Sequence, residues 1–454
     1  MAETGRNADE AETQGRFPIM LTKKLVTAGV AAAIAAGAIG VAQAEEGQFI
    51  PALTYRTGPF APGGIPTANG YVDYFHLINE RDGGVNGVKF IVEECEYGYK
   101  TDRGVECYDR LKDKHGGATA VSPYSTGTTY ALIDKATADK IPILSMGYGR
   151  TSAADGRVFP YVFNFPATYW SQATAVIQYI ANEMGGLEAL NGQRFAFIFL
   201  DHPYGKEPIP TFDILAEKFG FTYDKYPVPF ATGTEQKSVW LQIRRTKPAY
   251  IIMWGWGVMN ATAVKEAANI KFDMSKFIGN WWSASEQDVL PAGDGAIGYK
   301  GATFNGAGTG YKIFEDMEGV SGLSDDGDRG TVLYNRGMVN AAYIVEAVRL
   351  AQEKYGKGKR VTGEQVRWAF ENLDLTPEAI EGLGLTGLMP PTKVTCLNHE
   401  GTNPAILIQQ WNGKGWDIIT DWIPAMSDIV RPLIEQDAAQ YAKENNITPR
   451  DCSA

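Results

Sequence analysis

Short apolar runs and amphipathic helical stretches alternate along the first half of the chain. The apolar runs have the length and burial pattern of strands in a parallel sheet, and the stretches between them repeat apolar residues with helical spacing. This alternation is typical of βαβ units. The predicted strands are 48–55, 88–92, 118–122 and 141–145, and the predicted helices start at Pro66 and cover 104–114 and 128–140.

The same rhythm restarts after residue 165 and predicts a second α/β half. A glycine-rich segment, 292–310, is expected to cross between the halves. We therefore predict an α/β fold with two Rossmann-like lobes: lobe 1 from 45–165 and 300–380, and lobe 2 from 166–299 and 381–454. The predicted helices are 168–183, 210–219, 236–245, 258–269 and 332–355; the predicted strands are 195–200, 223–228, 250–254 and 277–279, with a hairpin of 406–411 and 416–419.

Residues 20–44 have the pattern of an export signal. Lys23 and Lys24 precede an apolar run over 25–41, and Ala42-Gln43-Ala44 is a small-x-small cleavage motif. We predict a cleaved leader over 1–44 and a protein in the periplasm, with no lipid anchor because no cysteine follows the cleavage point. A short anchor helix is the alternative, and Met1 and Met20 are both candidate start residues.

Charge and the absence of catalytic motifs narrow the function. A net charge of −11 without a basic run argues against binding to nucleic acid or to an anionic membrane surface. No nucleophile elbow, zinc motif or phosphate-binding loop is present, so we predict a protein that is not an enzyme and uses no cofactor or metal. Among the four histidines only His202 lies at a predicted strand end. We interpret it as a hydrogen-bonded residue at the rim of the site; a general base is the alternative, but no nucleophile is placed beside it.

Four cysteines remain in the exported part of the chain. An even number in an exported protein predicts two disulfides, and proximity in sequence favours Cys95–Cys107 and Cys396–Cys452. Free thiols or a single bridge are the alternatives.

The residues that follow each strand are the candidate ligand-binding residues, because ligands of open α/β sheets bind beyond the carboxyl ends of the strands. Ser125 and Thr126 precede a helix and could hold an anion or carbonyl, or only cap the helix. Four tryptophans at two strand ends could form an aromatic box, or belong to the core. The candidates are Tyr124, Ser125, Thr126, Tyr148, Arg150, Tyr204, Trp254, Trp256, Trp281 and Trp282.

Several short segments occur in a distinctive order and spacing: Thr57-Gly58-Pro59, Asn79-Glu80, 83–87, Ser125-Thr126, 141–145 and Tyr204-Gly205. Together they resemble the type I periplasmic binding proteins of ABC importers, in particular the leucine/isoleucine/valine group. The resemblance implies a three-strand hinge between the lobes, no catalysis, and a monomer that delivers a small molecule to an inner-membrane permease. It also implies that Ser125, Thr126 and Tyr148 hold a ligand carboxylate and that Tyr204 covers the ligand.

One position departs from the group's pattern. Amino-acid binders of this group carry a carboxylate for the ligand ammonium after the strand predicted at 277–279, where this chain has Asn280-Trp281-Trp282. A buried ammonium without a counter-charge is costly. We therefore expect a flat carboxylate such as an aromatic acid, with Arg56 or Arg150 assisting. A branched-chain amino acid, an amide or a quaternary amine is the alternative, and an exported α/β hydrolase or a receptor ectodomain would be a different class.

Overall fold

The computed structural model describes residues 47–324 and 327–453. The predicted leader, 1–44, lies outside these residues. All the other predicted helices and strands fall within them and can be compared with the structure. Helices between parallel strands confirm the predicted α/β fold, which has two main sheets and a separate antiparallel pair formed by Asp374–Leu375 and Thr392–Lys393.

The first sheet is parallel and is built around the buried strand β1. Strand β1 pairs with β2 in register from Gln48–Phe90 to Thr54–Glu96. The strand predicted at 118–122 is reduced to single bridges, Ala52–Ser122 and Val121–Ile143, which join β1 to β3. The elements are β1 (Gln48–Thr54), α1 (Ala61–Asp82), β2 (Phe90–Glu96), α2 (Thr101–Leu111), α3 (Thr126–Asp139), β3 (Ile143–Leu144), β4 (Val162–Phe163) and α4 (Tyr169–Met184).

The second sheet is larger and mixed. Its parallel part has the order β9-β8-β7-β5-β6, and β12 then pairs antiparallel with β9. The predicted boundary at residue 300, where the chain was expected to return to lobe 1, coincides with the first residue of β9. Because β9 pairs with β8, this strand belongs to the second sheet. The elements are β5 (Arg194–Asp201), α5 (Pro203–Lys206), α6 (Ile209–Phe219), β6 (Thr222–Pro229), α7 (Lys237–Thr246), β7 (Tyr250–Trp254), α8 (Val258–Asn269), β8 (Phe277–Gly279), α9 (Glu286–Val289), β9 (Lys300–Thr303) and α10 (Lys312–Met317).

The last third of the chain contains a long helix, the hairpin of the second sheet and a final helix, α14. The predicted hairpin is confirmed by the pairing of Gln409 with Ile418 and of Trp411 with Trp416. The elements are α11 (Val332–Tyr355), α12 (Gly363–Phe370), β10 (Asp374–Leu375), α13 (Pro377–Gly382), β11 (Thr392–Lys393), β12 (Ala405–Trp411), β13 (Trp416–Ile418), β14 (Ile423–Pro424) and α14 (Ser427–Glu444).

Helix α11 packs closely against α1. A side chain at Gly337 would collide with the Thr67 carbonyl, and one at Gly70 would collide with the Tyr334 carbonyl. Glycine at both positions lets the two backbones approach within contact distance. This close packing buries the first half of α11, including the charged residue Arg336.

Both predicted disulfides are present. Cys95–Cys107 joins β2 to α2, and Cys396–Cys452 ties the end of the chain to the segment before β12. Among the described residues, no helix combines the length and apolar character needed to cross a bilayer.

Candidate functional site

The loops that follow the strands of both sheets meet in one aromatic cluster. Tyr55 follows β1 and Tyr148 follows β3, whereas Trp256 follows β7 and Trp282 follows β8. The Tyr148 and Trp282 rings stack with centroids 4.4 Å apart, and Trp256 contacts both Trp282 at 5.3 Å and Tyr55 at 6.3 Å. The strand-end rule thus brings residues from two separate sheets to one place.

A single carbonyl holds two of the tryptophans. The indole N–H groups of Trp281 and Trp282 both donate to the Gly147 oxygen, at 2.8 and 2.5 Å. Gly147 has φ of 73°, and a Cβ there would lie 3.1–3.2 Å from Trp281, Trp282 and Phe304. Glycine is therefore required both for the backbone conformation and for the close approach of these rings.

Ser125 and Thr126 lie at the start of α3 and are fully buried. The Ser125 hydroxyl accepts from the Thr128 N–H at 3.4 Å, which is the capping role. The Thr126 hydroxyl accepts from the Gly149 N–H at 3.2 Å. Both hydroxyls therefore organise the loop beside Tyr148, and their direct contact with a ligand stays a prediction.

Tyr204 and Asn280 form a polar group on the side of the second sheet. The Tyr204 hydroxyl lies 2.8 Å from the Gly255 carbonyl oxygen and 2.9 Å from Asn280 Oδ1. Asn280 Oδ1 also accepts from the Trp282 N–H at 3.1 Å, which fixes the orientation of the amide. Its Nδ2 donor has no hydrogen-bond partner among the described residues.

Tyr124 contributes a second unpartnered polar group, its hydroxyl. Its ring contacts Tyr71 at 5.4 Å and Tyr148 at 6.3 Å, and its oxygen is buried with no partner in the described part of the chain. Tyr124 has φ of 51°, a left-handed conformation that is unfavourable for a residue with a bulky side chain. Strained residues of this kind cluster at binding sites.

Three of the candidate residues make other contacts. Trp254 packs against Phe197 and Phe212 at about 6 Å, in the core between the second sheet and α6. The Arg150 guanidinium pairs with Asp437 at 2.5 Å. Arg56 pairs with Glu94 at 2.8 Å.

His202 contacts residues that lie next to both main sheets. Its ring stacks on Phe230 at 4.9 Å and lies 5.9 Å from the Tyr99 ring, and a Cβ on Gly127 would be 3.2 Å from it. Its Nδ1 accepts from the Tyr204 N–H at 3.4 Å. Burial, followed by the nearby charge of Lys206, lowers the His202 pKa to about 4. His202 is therefore a neutral contact residue in this arrangement.

Arg336 of α11 is a site residue that the strand-end survey missed. It is fully buried, and its guanidinium lies 4.8 Å from both the Trp282 and the Phe304 rings. It donates to Asn305 Oδ1 at 2.8 Å, to the Trp281 carbonyl and to Thr303. The sequence does mark this position, because Arg336 is the only charged residue in the otherwise uncharged stretch from Val332 to Val345.

Two carboxylates follow the tryptophan pair, the half-buried Glu286 and the buried Asp288, and both accept hydrogen bonds from other groups of the protein. Glu286 accepts from the Val332 N–H at 3.1 Å, and Asp288 accepts from Asn260 and Ser285 at 2.9 Å. Burial raises the pKa of Glu286 to about 7 and that of Asp288 to about 6. Both acids are thus held as structural acceptors behind the aromatic cluster.

A cavity of about 510 Å³ opens beside Trp256. It is lined by the first turns of α1 and α8 and by residues after α9, so residues next to both sheets border it. Its size is that of a small-molecule pocket. Its wall includes Gly63, Trp256, Gly257 and Leu290.

Comparisons with known proteins agree with this architecture. The family profile described as periplasmic binding protein matches residues 47–415. A solved structure described as an ABC transporter permease from the Pseudomonas fluorescens group is 40% identical, with a TM-score of 0.83, and the match covers 90% of this chain and 100% of that one. No curated protein matches.

Two more distant structures share the fold. A branched chain amino acid ABC transporter from Thermus thermophilus with bound valine is 21% identical, with a TM-score of 0.69 over 85% of this chain and 97% of that one. A solute binding protein from R. palustris in complex with benzoate is 14% identical, with a TM-score of 0.66 over 84% of this chain and 97% of that one.

Proposed function

The chain belongs to the periplasmic binding protein family and is the substrate-binding component of an ABC transporter, and from this premise we propose that its cargo is a flat organic carboxylate, preferably an aromatic acid. The protein captures this molecule between two lobes in the periplasm, does not transform it, and delivers it to the permease as a monomer. Lobes that close around a ligand are an established type of domain motion.

The aromatic cluster is the observation that supports this proposal. Tyr55, Tyr148, Trp256 and Trp282 offer ring faces and edges from both sheets. A planar ligand gains stacking contacts and buried apolar area among such rings. The unpartnered donors are consistent with an acceptor on the ligand: Asn280 Nδ2 can only donate and the Tyr124 hydroxyl can donate.

The acidic residues argue against an α-amino acid. Glu286 and Asp288 are the acids that follow the tryptophan pair, and both already accept hydrogen bonds from their own loop or from α11. An ammonium group in the cluster would need a carboxylate released from these contacts. One similar structure holds valine and another holds benzoate, so the fold accommodates both classes and the local residues decide.

A thermal-shift screen tests the cargo class. Leucine, benzoate, benzamide and choline are compared, because a ligand that binds only the folded state raises Tm with its concentration. We expect benzoate or a related aromatic acid to produce the largest shift. A strong shift with leucine and none with aromatic acids would refute the proposed class.

Trp256→Phe tests the place of binding, with Trp240→Phe as the matched control. Both tryptophans are buried, but Trp240 belongs to α7 and its ring packs on Phe277 rather than on the aromatic cluster. We expect Trp256→Phe to weaken binding of the aromatic acid about tenfold, the equivalent of about 1.4 kcal/mol, because ring contacts are lost. Equal effects of the two variants would show that Trp256 belongs to the core only.

A further inference from the structure

The buried guanidinium of Arg336 is unusual because it lies in the aromatic cluster and forms no salt bridge with a described carboxylate. Among the described residues, no carboxylate comes within 4 Å of it, although other arginines named above pair at 2.5–2.8 Å. Its three partners are an amide oxygen, a hydroxyl and a carbonyl. Transferring a charge from water to a site where only neutral groups contact it costs free energy of folding, and an uncharged residue would not have this cost.

The position of Arg336 places this charge next to the residues that would surround a ligand. It donates to the Trp281 carbonyl and lies over the face of Trp282, which in turn stacks on Tyr148. Its charge also acts on the hydroxyls of Tyr148, Tyr169 and Tyr204, which belong to the same cluster or contact it. Since little water separates these groups, the field of the guanidinium is weakly screened there.

We infer that Arg336 is a specificity-determining residue, whose charge makes the site prefer an anionic ligand to its neutral isostere. This inference rests on the proposed function and deepens it. Arg336 replaces the two arginines that the sequence suggested for this role, since Arg56 and Arg150 are each committed to a carboxylate of the protein.

Arg336 acts through the field and through the Trp281–Trp282 pair, so it is a positioning residue rather than one shown to touch the ligand. A ligand carboxylate placed roughly 8 Å from the guanidinium is attracted to it at an effective dielectric constant of about 20. This attraction lowers the dissociation constant of the ligand about 30-fold. An anion should therefore gain about this factor over an amide of the same shape. The acids Glu286 and Asp288 oppose the effect from beyond salt-bridge distance.

The experiment measures the ratio of dissociation constants for matched acid and amide pairs, benzoate with benzamide and hexanoate with hexanamide, by calorimetry at pH 8. Wild-type protein should favour the acid by at least about tenfold. Arg336→Met should bring the ratio close to one, whereas Arg336→Lys should retain most of it. Arg349→Met is the matched control and should leave the ratio unchanged, because the half-buried Arg349 lies on the same helix and pairs with Glu346 instead of contacting the cluster.

The ratio separates specificity from structural support. A merely structural Arg336 would weaken acid and amide equally, and an unchanged ratio in Arg336→Met would overturn the inference. If that variant does not fold, Glu286→Gln gives the answer: removing this negative charge while keeping an acceptor for the Val332 N–H should raise the ratio a few-fold. An unchanged or lower ratio in Glu286→Gln also overturns the inference.

The two ligand pairs distinguish this inference from the proposed cargo class. If only the hexanoate pair binds and shows the Arg336-dependent preference, the aromatic proposal fails and the inference stands. If benzamide binds wild-type protein as tightly as benzoate, the inference and the proposed preference for a carboxylate both fail, and only the preference for an aromatic ligand stands. If no member of either pair binds, both are refuted.

Discussion

Acidification from pH 7.5 to pH 5 is expected to destabilise the folded protein through His202. The ring is held between Phe230 and Tyr99, and its Nδ1 already accepts the Tyr204 N–H, so protonation would break a helix-capping contact and bury a charge beside Lys206. Lys206 is itself paired with Asp201. Because the folded-state pKa is about 4 against an ordinary value of 6.5, the unfolded chain binds a proton between these pH values that the folded chain does not.

The sign and size of the effect follow from this difference. Stability falls as pH falls below about 6.5, and the cost is about 2 kcal/mol at pH 5 with a limit of about 3.4 kcal/mol below pH 4. The contacts of His202 come from residues next to both sheets. Any opening between them would expose the ring, so we expect ligand affinity to fall over the same pH range.

Urea unfolding of wild type and His202→Asn at pH 7.5 and pH 5 measures the effect. Asparagine keeps an acceptor for the Tyr204 N–H but does not titrate. The difference in unfolding free energy between the two proteins should shift by about 2 kcal/mol in favour of the variant at the lower pH. NMR titration of the imidazole provides an independent pKa. A difference that is the same at both pH values would refute the reasoning.

Two further predictions concern the tail of the chain and the bridges. Burial alone would raise the pKa of Glu371, but hydrogen bonds and charges from His399 and Arg450 outweigh it and lower the pKa to about 2. Glu371 therefore stabilises the fold above its ordinary pKa of 4.5, and this contribution is lost as pH falls from 4.5 to 2. Glu371→Gln should cost about 3 kcal/mol in urea unfolding at pH 7 and much less at pH 2.5; an equal cost at both would contradict the assignment. Replacing Cys396 and Cys452 by serine should cost about 4 kcal/mol, against about 3 kcal/mol for Cys95 and Cys107, because the first bridge closes a separation of 56 residues and the second one of 12. The reverse order in denaturant unfolding would contradict this chain-entropy argument.

Two helices and two of the apolar strands were predictable from the sequence alone. The helices Val258–Asn269 and Val332–Tyr355 and the strands Tyr250–Trp254 and Phe277–Gly279 have the predicted bounds. Strand β9 was not predicted, because Lys300–Thr303 has no apolar run and becomes a strand only through pairing with β8 and β12. Helix α1 begins at Ala61 rather than Pro66, since Pro62 in the first turn is as favourable a start as Pro66.

The candidate site was predictable to the extent that it follows strand ends. Trp256, Trp281, Trp282 and Tyr148 are brought together as that rule implies. The strand-end rule does not predict Arg336, because this residue lies within a helix and not after a strand. Its burial depends on the close packing of α11 on α1. Partners of Arg56 and Arg150 could not be foreseen, since Glu94 and Asp437 lie 38 and 287 residues away in sequence.

The return of β12 to the second sheet makes the order of synthesis matter. Strand β9 obtains its outer neighbour only from Ala405–Trp411, about a hundred residues later, after α11 and α12 have been made. Until then β9 is a bare sheet edge, and exposed edges invite pairing with other chains. Truncation before Ala405 would therefore leave this edge open, because the outer strand of the second sheet comes from the C-terminal part of the chain.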